Sequence, residues 1–266
     1  MSKVNLIIKG FIVTCIAIFI SCKKEVKIIY QNPVVDSVHI SITNASPAVT
    51  NLQFYLNNKF ISLPDSPFKY GTTSFYSYII NATSYYPDTI LLPYFNIAAG
   101  FQQLGFGSSG SNIIFGIVNN NFEPAGSYSI FITDTLIHGH INSVVLKDKV
   151  GTTNSAKSQI RFLNLSPDAP ALDLWAYPAA GYVGYKIFSE CGYLPNDFNS
   201  FINAESFSVI DAGHYYFEAT IAGTYNVVLG GLLYVEGQKV ITIYTKGFLG
   251  GSGKYAMDVG VIQYKP

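Results

Sequence analysis

Apolar and polar residues alternate with a period of two along much of the chain beyond residue 37. Val38, Ile40 and Ile42 alternate with His39, Ser41 and Thr43, and Leu52, Phe54 and Leu56 alternate with Gln53, Tyr55 and Asn57. Successive side chains of a strand point to opposite faces, so each run predicts a half-buried strand. Ile130 and Ile132 flank Phe131, and Val240-Ile241-Thr242-Ile243-Tyr244 reads as a core strand. Asn57-Asn58 predicts a tight turn before Phe60 and Ile61. No long stretch carries apolar residues at helical spacing, and Gly, Pro, Asn and Ser punctuate the gaps. Many short strands with regular turn signals predict a sandwich or a barrel.

The pattern repeats. Val38-His39-Ile40-Ser41-Ile42-Thr43-Asn44-Ala45-Ser46-Pro47 aligns with Ser158-Gln159-Ile160-Arg161-Phe162-Leu163-Asn164-Leu165-Ser166-Pro167. Leu52-Gln53-Phe54-Tyr55 then matches Leu172-Asp173-Leu174-Trp175. Further on, Phe95 to Gly100 parallels Phe207 to Gly213, and each copy has a late strand, near 128–133 and 239–245. A self-similar unit of this length predicts two copies of one domain. Residues 37–150 form the first and 157–266 the second, joined by a polar linker at 151–156 with Gly151, Thr152, Thr153, Asn154 and Ser155. The expected fold is all-β: two tandem Ig-like antiparallel β-sandwich domains behind an export signal.

That signal occupies residues 1–21. Lys3 and Lys9 make a positive start, and an uncharged apolar run from Phe11 to Ile20 follows, ending at Ser21-Cys22. The run is short of the roughly 20 apolar residues that a spanning helix needs. Phe19-Ile20-Ser21-Cys22 resembles the bacterial lipobox, which implies cleavage before Cys22 and acylation of its sulfur and amine. Cys15 is the competing position, but it leaves too short an apolar core ahead of it. Acyl chains contribute about 0.8 kcal/mol per buried CH₂, so two or three hold firmly. Residues 22–36 read as the tether. With Cys15 removed and Cys22 acylated, Cys191 is left with no disulfide partner in the chain and reads as a small apolar core residue.

Composition narrows the function. Charged residues make up 12% and aromatics 15% of the chain, and the formal net charge is zero. It becomes slightly negative once Lys3 and Lys9 are cleaved off, so no basic surface calls for nucleic acid. Arg161 is the sole arginine, which argues further against phosphate-rich ligands.

Asn164-Leu165-Ser166-Pro167-Asp168-Ala169-Pro170-Ala171-Leu172-Asp173-Leu174, with Ala212-Gly213 before a later strand, resembles the signature of the DUF4397 family. In the first copy Ala48 and Val49 stand where that signature has Asp-Ala. The resemblance implies a β-sandwich on an extracellular bacterial protein, with no assigned catalytic residues. Together with the anchor and the Asn- and Tyr-rich insertions, it is similar to lipoproteins of the Bacteroidetes.

Chemistry-bearing residues are few. Ser166-Pro167-Asp168-Ala169-Pro170 reads as a turn, in which Pro presets φ and Ser and Asp bind nearby amides. His138-Gly139-His140 would point two imidazoles one way, yet a stable metal site needs three or four ligands, and only Asp134 is near in sequence. No catalytic set, metal site or cofactor site is expected. Trp175, Tyr177, Tyr182 and Tyr185 are the candidate ligand-binding residues, at the head of a long insertion running to Asn203 that is rich in Gly, Tyr, Pro and Asn. Asp36-Ser37-Val38, Asp88-Thr89-Ile90 and Asp134-Thr135-Leu136 resemble the Bacteroidetes O-glycosylation sequon, which makes Ser37, Thr89 and Thr135 candidate acceptors.

The leading expectation is a non-enzymatic outer-membrane lipoprotein of the cell envelope, displaying two sandwich domains for adhesion or ligand binding. The partners would be the membrane, through the lipid, and a glycan or protein ligand. The alternatives are a carbohydrate-binding accessory lipoprotein and a structural envelope subunit.

Overall fold

A computed structural model describes residues 36–47, 52–61, 95–108, 114–133, 141–179, 183–196 and 198–264. The signal, Cys22, nearly all of the tether, Thr89, Thr135, Tyr182 and the His138/His140 pair lie outside the described residues.

The first half supplies β1 (Ser37–Asn44), β2 (Leu52–Leu56), β3 (Lys59–Ile61), β4 (Phe95–Ala98), β5 (Gly100–Ser108), β6 (Ile114–Phe122), β7 (Ser127–Thr133) and β8 (Asn142–Lys147). The second supplies β9 (Lys157–Asn164), β10 (Leu172–Pro178), β11 (Tyr185–Cys191), β12 (Ser208–Asp211), β13 (Gly213–Ile221), β14 (Val227–Val235), β15 (Val240–Lys246) and β16 (Asp258–Tyr264). Sheet orders are β4-β1-β7-β8 and β3-β2-β5-β6 in the first half, and β12-β9-β15-β16 and β11-β10-β13-β14 in the second. The two pairs of orders are one topology used twice, as the repeat predicts. Each half is a two-sheet sandwich. Its strands are antiparallel except for one central pair, β1 with β7 and β9 with β15, which is parallel.

The predicted alternation places side chains as expected on one face. Ile40, Ile42, Phe54, Leu104, Phe106 and Ile130 pack together in the first core. Ile160, Phe162, Leu174, Phe217, Ile241 and Ile243 pack in the second. Asn57 and Asn58 both take positive φ, at 50° and 64°, which is the geometry of the two-residue turn between β2 and β3.

The other face departs from a half-buried pattern. Ser41, Thr43, Ser129 and Thr133 in the first half, and Gln159, Arg161 and Thr242 in the second, are buried as deeply as the core. They are covered because the β4-β1-β7-β8 sheet lies against the β12-β9-β15-β16 sheet. Phe131, Val144 and Leu146 form a third core there with Leu163, Val240 and Tyr244. Phe131 and Tyr244 meet with ring centroids 5.7 Å apart. The described residues therefore form a four-layer stack in which the two halves share an interior.

At the centre of that contact the Arg161 guanidinium donates to Asp148 at 2.6 Å, with both side chains at most 1% exposed. Arg161 also donates to Thr242 Oγ1 at 2.9 Å and to the Ala204 carbonyl at 3.3 Å. The second oxygen of Asp148 accepts from Ser129 at 2.8 Å. The rings of Phe207 and Phe131 lie 4.6 and 5.8 Å from the guanidinium carbon. Thr133 donates to the Leu165 carbonyl at 2.9 Å. Thr133 and Leu165 come later in the chain than Ser129 and Arg161, which share Asp148, so β7 and β9 run the same way. Both Ser-Pro turns thus sit at one end of the stack, and residue 36 enters at the other.

Two sequence expectations look different in this setting. Residues 151–156 are irregular, but they are pinned: the Gln159 side chain accepts from the Gly151 amide and donates to its carbonyl, both at 2.7 Å. The insertion after Trp175 is not a projecting loop. It forms β11, a 3₁₀ turn at Leu194–Asn196 and helix α1 (Phe198–Ala204). Leu194 and Ala204 are buried in the third core. The polar, glycine-rich composition hid this role, because among its described residues only Leu194, Phe201 and Ala204 pack in the contact between halves, while Ile187 and Phe188 pack on the second core.

Removing one partner of a buried ion pair strands the other charge in the interior, at a cost of about 3–5 kcal/mol. Arg161→Met and Asp148→Ala are each expected to lower the unfolding free energy by that amount in urea titrations. A loss under about 1 kcal/mol for both would show that the pair does not fasten the halves.

Candidate functional site

Asn164 ends β9. Its side-chain oxygen accepts from the Ser166 amide at 3.2 Å and from Thr245 Oγ1 at 3.0 Å, and its nitrogen donates to the Pro170 and Cys191 carbonyls. Asn44 makes the same turn with the Ser46 amide at 3.1 Å. Asp168 accepts from the Leu249 and Gly250 amides at 2.6 and 3.1 Å. Asp173, 1% exposed, accepts from the amides of Glu190 and Gly223 and from Lys186 Nζ at 2.5 Å. These polar side chains fasten loops at one end of the second half. The turn expected at Ser166-Pro167-Asp168 is present, but its side chains do not bind nearby amides: Asp168 accepts from a distant loop, and the buried Ser166 hydroxyl has no partner among the described residues. Cys191 is half-buried and packs against the second core.

The outward face of the β11-β10-β13-β14 sheet has another character. Leu172, Leu174 and Ala176 point into the core, so Asp173, Trp175 and Tyr177 point away from it. The strand register sets out two adjacent rows, one across all four strands and one across three. Lys186, Trp175, Glu218 and Gly230 are successive cross-strand partners. Beside them run Tyr177, Tyr216 and Leu232. Tyr177 and Tyr216 have ring centroids 6.4 Å apart. A Cβ at Gly230 would come within 2.6 Å of Tyr216 Oη, and one at Gly184 within 2.2 Å of the Tyr177 ring. Glycine at both positions lets the rings lie flat along the sheet. Tyr216 and Leu232 are 38% and 43% exposed. His214 follows in the next row, with its ring 4.6 Å from that of Tyr234.

Trp175 is half-buried, with Lys186 Nζ 5.3 Å over its ring, in range of a cation–π contact. Its indole N–H is buried and has no acceptor among the described residues. Burial, and then the hydrogen bond and charge of Glu218, raise the Tyr177 phenol above its ordinary pKa. Trp175 and Tyr177 thus share one face, with Glu218 and Lys186 beside them. Tyr185 does not join them. It pairs with Ala176, whose side chain is buried in the core, and so projects to the opposite side at the sheet edge. Odd-numbered residues of β10 share a face with Lys186, which sends Tyr185 the other way. Glu218 joins the face with no signal in the sequence. The Tyr215-Tyr216 pair was visible in the sequence, but the register that lays Tyr216 beside Tyr177 was not.

Ser37 begins β1 and is half-buried, opposite Ala98 of β4. A void beside Phe162, Leu174, Phe217 and Ile243 offers about 10 Å³ with an apolar lining, too little for a ligand. Among the described residues no three His, Cys, Asp or Glu side chains cluster to hold a metal, and no helix is long and apolar enough to cross a membrane.

Two all-β sandwiches of one topology, fastened by an Asn-x-Ser-Pro turn in each, define the class of protein. The chain belongs to DUF4397, a domain family of unknown function, whose profile matches residues 38–175. The match begins in β1 and ends in β10, so it takes in the first half and the first two strands of the second. No curated protein matches the chain. Among solved structures it is similar to the Bacillus anthracis TIE protein, at 10% identity and a TM-score of 0.22, over 80% of this chain and 33% of that one. It is also similar to a leucine-rich repeat protein from Bacteroides thetaiotaomicron VPI-5482, at 8% identity and a TM-score of 0.20, over 78% of this chain and 25% of that one. The chain thus spans about a third and a quarter of their lengths, and at such scores neither likeness bears on fold or function.

Asp173 gives a pH prediction. Burial pushes its carboxyl up, but the Lys186 ammonium and the Glu190 and Gly223 amides outweigh it, and the net pKa is lowered. A carboxyl held below its unfolded value stabilises the fold above about pH 4, and that contribution is lost as pH falls through the folded value. Asp173→Asn is expected to unfold at lower urea than the parent at pH 7, with the gap closing below about pH 4. A gap unchanged from pH 7 to pH 3 would assign the loss to packing instead.

Proposed function

We propose that this protein is a non-enzymatic lipoprotein of the bacterial outer membrane that binds carbohydrate on the outward face of the β11-β10-β13-β14 sheet. The observation that carries this reading is the pair of rows holding Trp175, Tyr177 and Tyr216, with Glu218 and Lys186 beside them. One face of a pyranose ring presents C–H groups that stack on aromatic rings, while its hydroxyls need donors and acceptors at the rim. Tyr hydroxyls, a carboxylate and an ammonium meet that need. An open sheet face also suits a polymer, which needs no closed pocket.

Anchorage rests on the N-terminal segment. Cys22 would carry the acyl chains, and residues 23–36 would lead to the start of β1.

Two measurements test the reading. Radiolabelled palmitate is expected to enter the wild-type protein in a bacterial host and not the Cys22→Ala variant; equal labelling of both would remove the anchor. Trp175 is the only tryptophan, so its fluorescence reports on the proposed face directly. Titration with mannan, β-1,3-glucan and xylan is expected to shift or quench it with at least one of them. Tyr216→Ala is then expected to weaken that binding about tenfold, roughly one stacking contact. A flat response to a broad polysaccharide panel, with no retention on immobilised glycans, would end the carbohydrate reading.

A further inference from the structure

The repeat places a second set of exposed side chains on the far side of the molecule. β3-β2-β5-β6 holds in the first half the position of β11-β10-β13-β14 in the second. Tyr55 of β2 is the counterpart of Trp175 in β10. Leu52, Phe54 and Leu104 point inward, so Gln53, Tyr55 and Gln103 point outward. Tyr55 pairs with Phe60 on β3 and with Gly105 on β5, and Gly105 pairs with Ile117 on β6. The Tyr55 and Phe60 rings lie 5.6 Å apart. Phe60 is 51% and Ile117 56% exposed, far more than a half-buried strand residue.

The next row is made of amides. Gln103 pairs with Asn119 and donates to it at 3.3 Å, and the Asn57 side chain accepts from the Gln103 backbone at 3.0 Å. Tyr55 donates to Gln53 at 3.0 Å. None of these outward residues is ionisable at neutral pH. Among the described residues, no side chain pointing outward from this sheet is charged, and Lys59, beside Phe60, pairs with inward-facing Leu56. A neutral polyol would find rings to stack on and side-chain amides that both donate and accept, as its own hydroxyls do.

We infer that this face is a second glycan-binding surface, selective for uncharged polysaccharide, and that the protein is bivalent. The inference rests on the carbohydrate reading of the first face. The four-layer order turns the two faces in opposite directions, with three inter-sheet spacings of about 10 Å between them, roughly 30 Å in all. The shared core and the Arg161–Asp148 pair hold that geometry, so one molecule bridges two polysaccharide chains and cannot fold both faces onto one.

The experiment is agglutination of beads coated with mannan, β-1,3-glucan or xylan by full-length protein, read beside Trp175 fluorescence. The wild type is expected to agglutinate the beads whose polysaccharide perturbs Trp175. The Tyr55→Ala/Phe60→Ala double variant is expected to keep the fluorescence response and lose agglutination. Tyr55→Phe, which keeps the ring, is expected to agglutinate, and an unchanged urea midpoint for the double variant confirms its fold. Agglutination as strong with the double variant as with the wild type overturns the second face. So does a fluorescence response without wild-type agglutination, which leaves the first face standing. Agglutination of casein-coated beads alone assigns both faces to protein and overturns both readings.

Discussion

The Arg161–Asp148 pair is the contact on which the arrangement of the two halves depends. Two ionised groups taken from water into an interior cost several kcal/mol each, and mutual attraction offsets this only when the remaining donors and acceptors are also matched. Here they are drawn from both halves. Ser129 and Asp148 belong to the first half, while Thr242, Ala204 and the guanidinium belong to the second. If the halves parted, a chain with one arginine would expose it beside an apolar surface built from Leu163 and Tyr244. The third core supplies the hydrophobic driving force, and the ion pair fixes which orientation satisfies every buried polar group.

That constraint explains why a β-sheet with two buried faces keeps so many hydroxyls. Ser41, Thr43, Ser129, Thr133 and Thr242 are small, β-compatible and able to bond across a contact without full charge. They line the faces where the halves meet, while the opposite faces of the same strands carry Ile and Phe. A strand with apolar residues on one side and Ser or Thr on the other is ordinarily read as solvated on the second side. In this molecule that side meets another sheet.

The signature of the family acquires a structural meaning. Asn164, Asp168 and Asp173 each bind backbone groups of loops distant in sequence, gathering the β9–β10, β13–β14 and β15–β16 connections at one end. Their spacing follows from strand geometry: Asn closes β9, Asp168 sits in the turn, and Asp173 opens β10. With these fastenings in place, the outer sheets are free to vary on their exposed faces. One of them carries tryptophan, tyrosine and charge, the other tyrosine, phenylalanine and amides, on the same backbone frame.

The sequence by itself determined the strands, the internal repeat and the inward-facing cores. Each follows from local alternation, which a linear pattern records directly, and the turn at Asn57-Asn58 and the Asn-x-Ser-Pro turns are local in the same way. It also singled out Trp175 and Tyr177, whose spacing of two puts them on one side of a strand. Only the tertiary structure decided that Tyr185 lies on the other side, because that depends on its pairing with Ala176. The same holds for Tyr216 and Glu218, which complete the face through the register of β10 with β13. Arg161 marks the limit most clearly. In the sequence it is one charge in an alternating strand, but folding brings Asp148 and Ser129 to it across a sheet-to-sheet contact. No local pattern encodes that contact, since it exists only once both halves have formed.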